Sequence, residues 1–106
     1  MGQENYDEWR QAVRNPATIR AMLEDYRAGL TIDREHEEAD RTAGKILQMP
    51  LLVLWSLRDD LELLYGNPLD IWKDWASDLR GHGIESGHHM AEEAPDELAT
   101  TLINFF

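Results

Sequence analysis

Cysteine is absent from the 106 residues, which excludes a disulfide, a thiolate metal site and a catalytic thiol. Basic residues are scarce: 10 Lys and Arg stand against 21 Asp and Glu, a formal charge of −11 with histidine taken as neutral. Phosphate contacts need clustered Lys and Arg, so nucleic acid is a poor partner for this chain, and an anionic membrane surface is equally poor. No apolar run approaches the roughly 18 residues of a spanning helix. The opening residues, Met1-Gly2-Gln3-Glu4-Asn5-Tyr6, have neither the basic n-region nor the apolar h-region of a secretory signal. The length leaves room for one domain at most, small for an enzyme with a buried site. Together these shortages predict a soluble, acidic chain of the cytoplasm.

What is present divides near residue 45. Tyr6, Trp9, Ala12 and Val13 fall at helical spacing, with Asp7 and Glu8 favourably placed in the first turn. Asn15-Pro16 is a stop and a new start, Asn as N-cap and Pro at the first helical position. Ile19, Met22, Leu23 and Tyr26 then form one apolar stripe, and Gly29 suits a left-handed residue past the helix end. Residues 31–43 continue as a third helix whose interior is almost wholly charged. It is expected on a surface, with only Ile32, Ala39 and Ala43 available for a buried side.

From Met49-Pro50 the pattern changes. Leu51-Leu52-Val53-Leu54-Trp55 is a short continuous apolar run, the signature of a strand buried on both faces. A charged loop over residues 56–65 closes at Gly66. Asn67-Pro68 opens a helix carrying Leu69, Trp72, Ala76 and Leu79 along one side, and Gly81 ends it. Residues 82–86 form a second short strand, Gly87-His88-His89 a turn, and a last helix runs from Pro95 through Leu98, Leu102 and Phe105. Strand, helix, strand, helix implies a parallel pair. Two strands leave an open, hydrophobic sheet edge, an association hazard in a complete protein, so the chain reads as the end of a larger sheet.

From Tyr6 onward the chain resembles the C-terminal part of the α/β-hydrolases of the haloacetate (fluoroacetate) dehalogenase group. The resemblance rests on Leu23-Glu24-Asp25-Tyr26-Arg27-Ala28-Gly29, Ile32-Asp33-Arg34-Glu35-His36, Asp40-Arg41-Thr42-Ala43-Gly44-Lys45 and Pro50-Leu51-Leu52-Val53-Leu54-Trp55. It continues through Asn67-Pro68-Leu69-Asp70-Ile71-Trp72, Trp75-Ala76 and Glu85-Ser86-Gly87-His88-His89-Met90-Ala91-Glu92-Glu93-Ala94-Pro95. The last block is the most specific, a histidine turn followed by an acidic run and Pro. The fold implied is α/β, a partial α/β-hydrolase fold: cap-domain helices over residues 1–45, then a β-α-β-α unit of a parallel core sheet over 46–106. The family's aspartate nucleophile sits on a Gly-x-Asp-x-Gly-type elbow that has no counterpart in these residues. The resemblance therefore implies a C-terminal fragment, inactive alone, whose partner is the missing N-terminal half of the hydrolase.

Four residues are candidates for the site. His88 aligns with the family's catalytic base, the neutral imidazole that takes a proton from the water hydrolysing an aspartyl ester. Without that motif it would read as a surface turn histidine. Asp59, four residues past Trp55, occupies the usual place of the acid that orients the histidine. Asp60 and Glu62 are alternatives, the acid can lie on an earlier strand absent here, and a solvated charged loop explains the same residues. Tyr26 matches the cap tyrosine that donates to the leaving halide in fluoroacetate dehalogenases, against an ordinary core tyrosine on its stripe. His89 stands where relatives carry Phe or Trp and is expected to line the substrate pocket. Neither cofactor nor metal is implied: adjacent histidines rarely converge on one ion, and His36 with Asp40 is a weak pair on a charged face. Trp72 and Trp75 read as packing residues on a shared face.

The function implied is a share in carbon–halogen cleavage of a small haloacid. Two alternatives remain: a parent that hydrolyses an epoxide or ester, and a non-catalytic acidic interaction protein that forms a homodimer through the strand edge.

Overall fold

The computed structural model describes residues 2–106, and the chain falls into two units, Met1–Lys45 and Ile46–Phe106. The first holds α1 (Gln3–Ala12), α2 (Pro16–Gly29) and α3 (Ile32–Thr42). Asn15 caps α2 by accepting a hydrogen bond from the Ala17 N–H at 2.9 Å, with Pro16 at the first helical position. Gly29 departs from expectation: it lies inside α2, and the helix ends through a right-handed Leu30. The Thr31 hydroxyl donates to the Arg27 carbonyl at 2.8 Å and its N–H to Ala28 at 3.0 Å, so the final carbonyls are satisfied without a left-handed residue. No residue of these three helices is buried, and α3 carries its charge as exposed i,i+4 pairs, Arg34–Glu38 and Glu37–Arg41.

The second unit is built on a two-stranded sheet. Strands β1 (Leu51–Ser56) and β2 (Leu79–Ile84) are parallel, in a register running from Leu51 opposite Leu79 to Ser56 opposite Ile84. Below it a bridge between Leu47 and Ala76 extends the pairing. Helices α4 (Leu61–Tyr65) and α5 (Pro68–Trp72) lie on the crossover, and α6 (Met90–Glu93) and α7 (Pro95–Phe105) follow β2. Asn67 caps α5 through the Leu69 N–H at 3.0 Å.

Three expectations for this half are corrected. Residues 61–65 are helical within the expected loop, and α5 stops at Trp72 instead of continuing to Leu79. The second strand begins at Leu79 and ends at Ile84, displacing the expected 82–86. The last two share a cause: pairing with β1 fixes Leu79 and Gly81 in the sheet, and tertiary pairing overrides a helical spacing of apolar residues. Trp75 then lies past the helix end, so it shares no helix face with Trp72.

Glycine at 81 is a packing requirement, because a Cβ there would stand 2.2 Å from the Val53 carbonyl oxygen. The core is small. Among the described residues Trp55, Ala76 and Ile84 are its buried hydrophobic side chains, closed by Pro68, while Leu51, Leu52, Val53 and Leu54 are half-buried. Large apolar side chains remain in solvent on the flanking helices, among them Leu63, Leu64, Ile103 and Phe106. No helix of the described residues is long and apolar enough to cross a membrane.

Candidate active site

Parallel strands deliver their C-terminal ends to the same side of a sheet, where side chains from successive loops can meet. Beyond Ser56 the chain turns, and the Leu57 N–H continues the ladder by donating to the Ile84 carbonyl at 2.9 Å. The Arg58 N–H donates to the Ser86 carbonyl at 3.1 Å, while the Arg58 and Glu85 side chains pair at 2.6 Å. The two loops are thereby stitched together before either site residue is reached.

Asp59 and His88 meet across this junction. The Asp59 Oδ2 lies 2.8 Å from His88 Nδ1, over a sequence separation of 29 residues. The other carboxylate oxygen, Oδ1, accepts from the Asp60 N–H at 2.9 Å, which orients the carboxylate. An ionised carboxylate can only accept, so Nδ1 carries the proton in this pair and Nε2 of the neutral ring holds the lone pair. The hydrogen bond that His88 donates to Asp59, reinforced by the aspartate charge, raises the His88 pKa above the ordinary histidine value, with Asp60 and Glu93 adding smaller contributions. His88 in turn holds the Asp59 carboxyl below its ordinary value, helped by the Asp60 N–H. The His88 side chain is 79% exposed and that of Asp59 33%. The arrangement is an accessible imidazole with a fixed tautomer, able to take a proton at Nε2 and have the resulting charge balanced at Nδ1.

Among the described residues the alternatives to Asp59 make no bond to the His88 ring. Glu62 accepts the Trp55 indole N–H, and Asp60 is the residue preceding α4. His89 stacks edge-on against His88, ring centres 5.5 Å apart at 89°. Tyr26 belongs to the first unit, on α2, and is 73% exposed. Asp40 is engaged by Lys45 at 2.6 Å and does not pair with His36.

Sequence reasoning missed the residues that hold the histidine turn. The Ser56 hydroxyl, buried at the end of β1, donates to the Gly87 carbonyl at 2.6 Å, and the buried Ser86 hydroxyl lies 3.2 Å from Ser56 Oγ. Glu93 accepts from the Gly87 N–H at 2.8 Å and the His89 N–H at 3.2 Å, and these two bonds hold its carboxyl below the usual range. The acidic run after His89 was a visible signal for Glu93. Nothing in the sequence marked Ser56, which reads as the first residue of a loop.

No family model matches the chain. It is 31% identical over 102 residues to a fluoroacetate dehalogenase from a Burkholderia species, covering 96% of this chain and 33% of that protein. Among solved structures, one from Pseudomonas aeruginosa assigned as an epoxide hydrolase superposes with a TM-score of 0.88 at 39% identity, over 99% of this chain and 35% of the other. A Nostoc structure assigned as an α/β-hydrolase superposes with a TM-score of 0.90 at 35% identity, with the same coverage. The chain thus spans about a third of the length of the relatives it matches.

Proposed function

We infer that this chain, which has the sequence and fold of the C-terminal part of an α/β-hydrolase, contributes the base of a hydrolytic site through His88. The observation that carries the reading is the 2.8 Å bond from His88 Nδ1 to Asp59, which leaves Nε2 as the proton acceptor. The nucleophile comes from a segment corresponding to the remaining two thirds of the relatives, and activity requires that segment. A carboxylate nucleophile displaces the halide of a haloacid, leaving an ester. His88 then removes a proton from water, the resulting hydroxide adds at the ester carbonyl, and collapse frees the hydroxy acid and the carboxylate, the proton passing from Nε2 to product or solvent. Asp59 keeps the ring oriented and balances the imidazolium, Tyr26 donates to the departing halide, and His89 borders the substrate. The Burkholderia relative supports a haloacid such as fluoroacetate.

A second reading keeps the same base and changes the substrate. The Pseudomonas aeruginosa structure, more similar in sequence, supports an epoxide, whose opening by a carboxylate gives a hydroxy ester that the same histidine would hydrolyse.

Both are tested by placing this chain in the Burkholderia enzyme in exchange for the C-terminal third it matches. Fluoride release from fluoroacetate is expected, diol formation from an epoxide is the outcome of the second reading, and His88→Gln should accumulate the covalent ester, visible as added mass. A folded chimera whose turnover is indifferent to His88→Gln overturns the reading.

A further inference from the structure

Two buried hydroxyls at the end of a strand require an explanation, since buried polar side chains are kept where their hydrogen bonds organise something. Ser86 is fully buried and Ser56 nearly so, and Ser56 is bonded to the histidine turn. The Ser56 hydroxyl donates to the Gly87 carbonyl at 2.6 Å, and the neighbouring Ser86 Oγ, 3.2 Å away, completes the pair. Glu93 accepts the Gly87 N–H through one oxygen at 2.8 Å and the His89 N–H through the other at 3.2 Å. The two amides that Glu93 holds flank His88 itself. The fit is close at the turn: a Cβ on residue 87 would come within 2.9 Å of the Glu93 carboxylate.

We propose that Ser56 and Glu93 are positioning residues for His88, gripping the backbone of the residues on either side of it so that its imidazole reaches Asp59. The His88 side chain is largely in solvent, and among the described residues its ring meets only the Asp59 carboxylate and the edge of His89. Fixing the backbone on both sides of the residue lowers the entropy lost when the ring docks on the carboxylate. Glu93 acts as a fork on backbone amides, while Ser56 carries the restraint back to β1, the strand that leads to Asp59. The same strand end therefore sets both halves of the pair. The catalytic consequence rests on the reading of His88 as the base; the grip itself does not.

The test reads the imidazole in the full chain by nitrogen-resolved NMR, without substrate. Charged and titratable groups facing His88 are Asp59, Asp60 and Glu93, with the His89 ring beside it. Ser56→Ala alters none of these charges. Its His88 titration is expected to move down towards that of a free histidine, with loss of the preference for the Nδ1–H tautomer. A merely structural serine would lower the melting temperature and leave both unchanged, and that result overturns the proposal. Glu93→Gln, at an exposed position, provides the second measurement should Ser56→Ala fail to fold. Glutamine keeps one acceptor oxygen, so exchange of one of the two amide protons, Gly87 or His89, is expected to quicken about fivefold, the equivalent of one ordinary hydrogen bond, and the tautomer preference to weaken. A Glu93→Gln chain with both amides still protected and the tautomer intact also overturns it. Because no turnover is measured, this outcome is independent of the chimera experiment on His88 as base.

Discussion

The Asp59 carboxylate is bonded at both oxygens, Oδ1 to the Asp60 N–H and Oδ2 to His88 Nδ1, so the aspartate is oriented by its own loop before it orients the histidine. Replacing it tests the two roles together. Asp59→Asn removes the charge and allows the amide to present its NH2 to the ring, reversing the tautomer. The His88 titration is expected to fall, and hydrolysis of the ester by the chimera to slow by about 10²–10⁴-fold, the range of a misdirected general base. Imidazole NMR on the chain and single-turnover kinetics on the chimera check the two halves of this prediction.

The same pair fixes the pH behaviour. His88 has its pKa raised, so what it contributes to stability is complete below the ordinary value of 6.5 and is lost as pH rises through the raised one. Asp59 has its pKa lowered, so its contribution is present above the ordinary 3.8 and is lost as pH falls through the depressed value. The attraction is therefore greatest in the acid-to-neutral window between the two. Proton abstraction needs the neutral ring, so the rate limb should lie above 6.5, on the alkaline side of the window of greatest attraction. A pH–rate profile of the chimera set beside melting temperatures over the same range should show the two maxima displaced in that sense.

Gly81→Ala should destabilise the second unit, because its methyl group would enter the space of the Val53 carbonyl and force β2 away from β1. A cost of about 1–3 kcal/mol is expected for such overpacking. Thermal unfolding followed by tryptophan emission reports it, since Trp55 is buried at the end of the same sheet.

Each strand pairs on one side, leaving a row of backbone groups on the outer edges of β1 and β2 among the described residues. With Leu63, Leu64, Ile103 and Phe106 also in solvent, the isolated chain is expected to bind a hydrophobic dye and to elute above its 12.3 kDa on size exclusion. Covalent continuity with the remaining two thirds of the Burkholderia protein in the chimera should suppress both effects. Dye binding that is equal in the two would count against the edge as the cause.

The parts of this structure that were legible in the sequence are those decided locally. Asn15-Pro16 and Asn67-Pro68 announce their helices because a cap and a first-turn proline act within three residues. The run from Leu51 to Trp55 is too apolar and too short for anything but a strand in this setting. The errors came from non-local choices. Trp72, Ala76 and Leu79 keep a helical spacing, yet pairing of Leu79 with Leu51 claims that segment for the sheet. Of the pair that meets in the second unit, His88 was visible through the resemblance and Asp59 through its place after the first strand, and Glu93 lay within the quoted acidic run. Ser56 was not legible, because its importance comes from a carbonyl 31 residues away.

The crossover between the strands has one further implication. β1 and β2 run in the same direction, so the loops bearing Asp59 and His88 leave the sheet side by side whatever lies between them. Helices α4 and α5 return the chain to its starting level, and their own faces contribute neither partner of the pair. This return path is itself tied to the sheet it spans, since Pro68 of α5 closes the core and Glu62 of α4 accepts the Trp55 indole N–H. Chemistry and connection are thus divided between two parts of the chain, the first placed by strand register and the second by the path that delivers Leu79 to Leu51.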